Sequence, residues 1–115
     1  MTGIAVRLDV VRGRIAAACA RAGRDPRSVR LIAVSKTVPV AGVVEALAAG
    51  QTLFGENRVQ EALAKMAEAG PKAVWHLVGH LQKNKARHAA GAFELIHGLD
   101  DPELAFELDR RAAVR

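Results

Sequence analysis

A lysine follows an apolar run early in the chain, and its position suits carbonyl chemistry. Residues 31–35 read Leu-Ile-Ala-Val-Ser, and Lys36 comes directly after them. Such a run predicts a buried parallel strand, and α/β folds place their chemistry at the carboxyl ends of these strands. A neutral lysine amine there can form a Schiff base, and desolvation at the strand end favours the neutral form. The alternative is a solvated lysine just past a strand.

A Gly-Glu-Asn segment at residues 55–57 follows the second predicted strand, which covers about residues 52–54. Because the carboxyl ends of parallel strands meet at one edge of a sheet, this segment should lie on the same rim as Lys36. Gly55 permits a close backbone approach, and Asn57 can donate and accept hydrogen bonds. The segment is equally typical of a turn in which Asn57 caps the next helix.

Two histidines lie in and just after the third predicted strand, residues 73–78. His76 and His80 are about 13 Å apart in an extended strand, whereas zinc lies about 2 Å from each ligand nitrogen. They cannot share one metal ion while the segment stays extended, so we expect no metal site. His76 is either part of a pocket floor or a hydrogen-bonded core histidine, and His80 lies at the rim.

The segment 82–85, Gln-Lys-Asn-Lys, opens a helix predicted near residues 85–90. Backbone N–H groups and lysines at the start of a helix can bind an anion. No glycine-rich phosphate loop or dinucleotide fingerprint accompanies the segment, so the sequence does not predict a nucleotide site.

The spacing of apolar residues and glycines predicts the elements that carry these side chains. Apolar residues three and four positions apart predict a first helix over residues 4–22. Strands are predicted at 31–35, 52–54, 73–78 and 93–97, and further helices after Pro39, over 59–69, over 85–90 and from Glu103 onward. Strand and helix alternate with a period of about 21 residues, which predicts an α/β fold with a parallel sheet. Residues 1–115 then form a single domain, either a small open sheet or half of an eight-fold barrel.

Composition limits the class of protein. Half of the residues are apolar and 25% are charged, as in globular domains. No membrane span or secretory signal is visible, and Cys19 is the only cysteine, so we expect a cytoplasmic protein. The net charge of +5 is concentrated in residues 1–30. A solvated arginine face explains this better than nucleic-acid binding, because few aromatic residues are present to stack on bases.

Three segments together resemble the pyridoxal-phosphate homeostasis proteins, the YggS/PROSC family. They are Leu-Ile-Ala-Val-Ser-Lys-Thr, Phe-Gly-Glu-Asn-Arg-Val-Gln-Glu and Trp-His-Leu-Val-Gly-His-Leu-Gln-Lys-Asn-Lys. The resemblance runs from the first helix to the end of the chain. It implies the first half of a TIM-type (β/α)8 barrel, of the kind found in the N-terminal domain of alanine racemase. It also implies that Lys36 holds pyridoxal 5′-phosphate (PLP) as a Schiff base, with Asn57 beside the cofactor and His76 and His80 lining the barrel mouth.

The resemblance implies cofactor homeostasis rather than catalysis, since the family has no well-established reaction. It places strands five to eight, the phosphate-binding loops and the arginine facing the pyridine nitrogen outside these 115 residues. The alternative is a racemase-like enzyme that uses Lys36 as Schiff base and proton carrier. Such an enzyme commonly needs a tyrosine on the other cofactor face, and the chain has no tyrosine. A half-barrel also leaves two open strand edges, so we expect self-association.

Overall fold

The structure is a computed structural model that describes residues 3–113. Within this range, four strands alternate with five α-helices, and two short 3₁₀ helices cover Pro26–Ser28 and Lys83–Lys85. The strands are β1 (Ala33–Val34), β2 (Leu53–Glu56), β3 (Val74–His80) and β4 (Leu95–Gly98). The α-helices are α1 (Gly3–Ala22), α2 (Val40–Ala48), α3 (Val59–Ala69), α4 (Ala86–Ala89) and α5 (Pro102–Ala112).

The four described strands lie side by side in chain order, and every neighbouring pair is parallel. One row across the sheet joins Val34, Gly55, His76 and Leu95. Within residues 3–113, β1 and β4 are the two edges of the sheet. This confirms the predicted α/β class, and the strand order is that of half a (β/α)8 barrel.

Helices cover one face of the sheet. Phe54 and Trp75 lie on this face with ring centroids 5.3 Å apart, buried in one cluster with Val43 and Ala46 of α2. Toward the carboxyl edge, Leu77 belongs to a second cluster, whose other buried members are Val59, Leu81, Ala86, Ala89 and Leu104. The core is therefore made mainly of small and aliphatic side chains, as the low aromatic content requires.

Within the described range, the opposite face of the sheet is exposed at its two edge strands, whereas Gly55 and His76 between them are buried. Side chains alternate along each strand, so Val34, Gly55, His76 and Leu95 lie on this second face. Val34 is 50% and Leu95 is 52% exposed, which is unusual for aliphatic residues of a sheet. We call this side the open face. In a complete (β/α)8 barrel the helices lie outside, and the open face corresponds to the barrel interior.

Several strand boundaries differ from the predicted ones. β1 has two residues rather than five, and the Leu31 carbonyl before it accepts a hydrogen bond from Gln51 Nε2 at 2.7 Å instead of from a neighbouring strand. β2 continues through Gly55 and Glu56, which the sequence predicts as a turn. β3 continues to His80 rather than ending at residue 78, and β4 begins two residues later than predicted.

The helices agree more closely with the sequence. α1 and α3 match their predicted ranges to within one residue. Arg58 rather than Asn57 is the residue that precedes α3, so the alternative in which Asn57 caps this helix is wrong. α4 has only four residues, because the segment before it forms a 3₁₀ helix. α5 begins at Pro102, with the Asp101 carboxylate accepting a hydrogen bond from the Glu103 N–H at 3.0 Å.

Candidate functional site

Lys36 lies just past β1, at the carboxyl edge of the sheet. Its side chain is exposed and forms no hydrogen bond or ion pair with any residue in the range 3–113. The desolvation expected at this strand end is therefore not supplied by the described residues, because the open face beside it is uncovered. The structure presents Lys36 as an exposed side chain at a strand end, without a partner among the described residues.

The backbone is fixed on both sides of Lys36. Lys65 Nζ donates to the Ser35 carbonyl at 2.6 Å, and the Thr37 N–H donates to Glu61 Oε2 at 3.2 Å. Thr37 has a φ of 63°, a conformation that is strained for a β-branched residue. The Lys36 side chain therefore projects from a strained turn whose backbone is fixed by hydrogen bonds to Glu61 and Lys65.

A buried polar cluster lies beneath this turn on the helix-covered face. The Ser35 hydroxyl donates to Glu56 Oε2, and Lys65 Nζ lies 3.0 Å from the same oxygen. Glu56 is fully buried, and its Oε1 has no hydrogen-bond partner in the described part of the chain. Sequence reasoning missed this cluster. A signal was present, since Lys65 falls on the buried stripe of α3 with Val59 and Ala62.

Asn57 lies at the end of β2, beside the Lys36 turn. Val34 pairs with Gly55, and Lys36 and Asn57 each follow these partners by two residues. Asn57 is half-buried, and its side chain makes no hydrogen bond within the described range. Gly79 of β3 packs against its backbone, because a Cβ on Gly79 would lie 2.8 Å from the Asn57 carbonyl oxygen.

His76 is buried on the open face. It shares a row of the sheet with Val34, which lies two residues before Lys36. Its Nδ1 lies 3.1 Å from His97 Nε2, and its Nε2 lies 3.4 Å from Glu94 Oε1. Arg30 binds the Glu94 carboxylate through both terminal nitrogens, at 2.5 and 3.3 Å. Arg30 first, and His76 second, hold the pKa of Glu94 below its ordinary value of 4.5. His76 is thus hydrogen-bonded and also forms part of the floor of the open face.

His80 lies at the rim and is exposed. Its Nδ1 is 3.8 Å from Asp100 Oδ2. His80 and Asn57 line the same cleft of about 450 Å³, together with the basic side chains of Arg58 and Lys85. Neither Lys36 nor His76 lines this cleft, so it brings Asn57 together with His80 but not with Lys36 or His76.

On the open face, neighbouring side chains pack closely over Gly55. A Cβ on Gly55 would lie 2.9 Å from Ile32 Cγ2 and 3.1 Å from Val78 Cγ1, so only glycine fits there. An exposed lysine and an amide with unused donors and acceptors suit part of a site for an aromatic aldehyde such as PLP. Among the described residues no cationic cradle for the phosphate adjoins Lys36, so the fit is partial.

No group of three or more His, Cys, Asp or Glu side chains in the range 3–113 is placed to hold a metal ion. No helix of the described chain is long and apolar enough to cross a membrane.

Arg12, one of the arginines of α1, holds this helix to the segment after α2, since it donates hydrogen bonds to Ala49 O and to Gln51 Oε1 at 3.1 Å each.

No family model matches the chain, but curated relatives and solved structures do. The pyridoxal phosphate homeostasis protein of Pseudomonas aeruginosa is 46% identical over 112 residues, which cover 96% of this chain and 49% of the relative. The protein of the same name from Escherichia coli K12 is 44% identical over 118 residues, covering 98% and 50%. The chain thus spans about half the length of the curated relatives it matches.

Two solved structures extend the comparison. PipY of Synechococcus elongatus PCC7942, solved with PLP bound, is 50% identical, with a TM-score of 0.81 over 96% of this chain and 49% of that chain. An unknown protein from Bifidobacterium adolescentis is 34% identical, with a TM-score of 0.88 over 97% and 50%. The names of the curated relatives denote homeostasis of a cofactor and do not indicate catalysis. By sequence and by fold, the chain is similar to the pyridoxal phosphate homeostasis proteins over about half of their length.

Proposed function

We propose that this chain binds PLP as a Schiff base on Lys36 and takes part in intracellular homeostasis of that cofactor. The observation that carries the proposal is the exposed, unpaired Lys36 side chain on a turn held from both sides. The solved relative PipY, named as having PLP bound, supports the choice of ligand. A homeostasis role needs reversible binding, and an exposed amine permits exchange.

The chemistry is a condensation between an amine and an aldehyde. The Lys36 nitrogen forms a double bond to the aldehyde carbon, and the aldehyde oxygen leaves as water. Lys65 is a poor competitor, because its ammonium group is paired with Glu56 and Glu61. Lys83 is also paired, with Asp101 at 3.6 Å and with Glu103.

Three further residues are proposed as neighbours of the cofactor. Asn57 follows β2 at the level of Lys36 and has an unused side-chain amide among the described residues. His76 forms part of the floor of the open face, and His80 lies at the rim beside Asn57. None of these three is proposed as catalytic.

The absence of tyrosine from the sequence argues against a racemase, which commonly uses one.

Assembly, location and affinity complete the proposal. We treat residues 1–115 as one unit of a PLP-binding barrel, and we propose that it self-associates through its open face and the β1 and β4 edges. Charge-assisted hydrogen bonds contribute about 1.5 to 3 kcal/mol each, so we propose that these residues alone bind PLP more weakly than a complete barrel with further phosphate contacts would. We also propose a cytoplasmic location, which the single cysteine supports.

The test is a PLP titration followed by absorbance, with two matched variants. Lys36→Ala removes the proposed amine, whereas Lys72→Ala removes an exposed lysine just before β3, at the opposite edge of the sheet. We expect saturable formation of a Schiff-base absorbance band in the wild type and in Lys72→Ala, and its loss in Lys36→Ala. Equal titrations for all three proteins would overturn the proposal.

A further inference from the structure

Lys36 lies between two residues that are anchored to the same helix. The Ser35 carbonyl accepts from Lys65 Nζ at 2.6 Å, and the Thr37 N–H donates to Glu61 Oε2 at 3.2 Å. Glu61 and Lys65 are one turn apart on α3 and pair with each other at 3.1 Å. One side-chain pair of α3 therefore holds the backbone immediately before and immediately after the lysine.

The turn itself needs such support. The Val38 N–H donates to the Ser35 carbonyl at 3.0 Å, so Lys36 and Thr37 are the two central residues of a β-turn. Thr37 occupies the second central position with a φ of 63°, where type II turns prefer glycine or asparagine. Such strain persists only where the surroundings fix the backbone.

Burial explains why Lys65 stays in place. Its side chain is 10% exposed, and its partner Glu56 is fully buried. An unpaired charge at this depth is costly, so the ammonium group stays with the carboxylate. Glu56 also accepts a hydrogen bond from the Ser35 hydroxyl. The hydroxyl and the carbonyl of Ser35 are therefore both held by the Glu56–Lys65 pair. Lys65 and, second, the Thr37 N–H also hold the pKa of Glu61 below its ordinary value of 4.5.

We propose that Glu56, Glu61 and Lys65 are positioning residues for Lys36. They hold the 35–38 turn so that the Lys36 amine projects free from the carboxyl edge of the sheet. The same contacts keep Lys65 from acting as a second amine. The effect on the reactivity of Lys36 rests on the proposed function. The anchoring of the 35–38 turn does not.

Two variants break the two anchors separately. Glu61→Ala removes the acceptor of the Thr37 N–H and leaves the Glu56–Lys65 pair intact. The double variant Glu56→Gln/Lys65→Met removes both buried charges together, so that neither is left unpaired, and it removes the donor to the Ser35 carbonyl. Glu68→Ala is the control, because Glu68 is an exposed carboxylate of the same helix that has no partner among the described residues.

Two readouts are measured on the full 115-residue chain. The first is amide hydrogen exchange at Thr37 by NMR, without PLP. The second is covalent labelling by PLP and borohydride, given as the ratio of label on Lys36 to label on Lys72. For Glu61→Ala we expect about tenfold faster exchange at Thr37, as for the loss of one charge-assisted hydrogen bond. We expect a lower Lys36 to Lys72 ratio in both anchor variants, and no change of either readout in Glu68→Ala.

Each contrary result contradicts a different part of the proposal. Unchanged Thr37 exchange in a folded Glu61→Ala variant would overturn the anchoring of the turn. Faster exchange with an unchanged labelling ratio in both anchor variants would overturn the positioning role. If the wild type labels Lys72 as readily as Lys36, the proposed function fails and the positioning role fails with it, while the exchange data still decide whether α3 holds the turn.

Discussion

His76 and His97 lie side by side on the open face, with 3.1 Å between His76 Nδ1 and His97 Nε2. One of these nitrogens must carry a proton and the other a lone pair. When a neutral His76 donates from Nε2 to Glu94, its Nδ1 carries the lone pair. His97 Nε2 then donates the hydrogen bond to His76 Nδ1. Arg30 also binds Glu94, so Arg30, Glu94, His76 and His97 form one polar network.

The first prediction concerns pH and this network. Arg30 and His76 lower the pKa of Glu94 below 4.5, so their contribution to stability is present above pH 4.5 and is lost as the pH falls through the folded-state pKa. We expect Arg30→Ala to raise the Glu94 pKa toward 4.5, measured by NMR titration of its carboxyl carbon. Arg110→Ala, which removes a partner of Glu107 on α5, is the control and should leave the Glu94 titration unchanged. An unmoved Glu94 midpoint in Arg30→Ala would contradict the network.

The second prediction concerns the close approach at the ends of β2 and β3. Gly79→Ala places a Cβ 2.8 Å from the Asn57 carbonyl oxygen, and backbone atoms there cannot move aside easily. We expect a loss of about 1 to 3 kcal/mol in the free energy of unfolding, measured by urea denaturation. Gly13→Ala is the control, because a Cβ there meets no atom within 4 Å.

Gly13 lies inside α1, where alanine is favoured over glycine by about 0.5 to 1 kcal/mol. The two Gly→Ala changes should therefore shift the urea midpoint in opposite directions. A Gly79→Ala protein as stable as the wild type would show that the two strand ends are not packed as closely as described.

The third prediction concerns the buried pair of Glu56 and Lys65. Lys65→Met alone leaves the Glu56 carboxylate buried without its counter-charge, and such changes cost about 3 to 5 kcal/mol. The double variant Glu56→Gln/Lys65→Met leaves no buried charge and should be clearly more stable than the single variant. Urea unfolding of both proteins checks this. Equal stability of the single and double variants would mean that the pair is not desolvated.

The fourth prediction concerns self-association. Val34 is half exposed on the open face, and β1 is an edge among the described strands. Edge strands with aliphatic side chains recruit other chains, and a charge on such a strand prevents this. We expect dimers or larger assemblies of the wild type in light scattering with size-exclusion chromatography, and a shift toward monomer in Val34→Lys. Val6→Lys on α1, where Val6 is 46% exposed, should not shift the assembly.

A stable wild-type monomer at micromolar concentration would contradict the self-association proposal. A complementary C-terminal half from a relative offers a second check, because it should cover the open face. Addition of such a fragment should therefore convert the assemblies into a one-to-one complex.

The fold was predictable because it depends on local patterns. Apolar spacing and glycines locate α1 and α3, and the period of about 21 residues predicts neighbouring parallel strands. The same period of about 21 residues also relates individual residues of successive strands. Val34, Gly55, His76 and His97 are successive residues 21 positions apart, and the first three share one row of the sheet. His97 lies two residues past Leu95, the register partner of His76, and therefore on the same face of the sheet, where the two rings meet.

The buried cluster was not predictable in the same way. The segment 55–57 is equally typical of a turn, so the sequence does not show that Glu56 continues β2. Its counter-charge comes from Lys65 on a different element, and a pairing of this kind depends on how α3 packs on the sheet. Lys36 is exposed, as in the alternative of a solvated lysine just past a strand, and covering the open face beside it would need strands beyond the described four.

The most direct test of the central claim is borohydride reduction of the protein with PLP, followed by peptide mapping by mass spectrometry. Reduction converts a Schiff base into a stable secondary amine, so the labelled lysine is identified directly. We predict that the label lies on Lys36 and is absent from the Lys36→Ala protein. Label that falls mainly on Lys83 or Lys85, or that persists undiminished in Lys36→Ala, would contradict the assignment of Lys36 as the PLP-binding lysine.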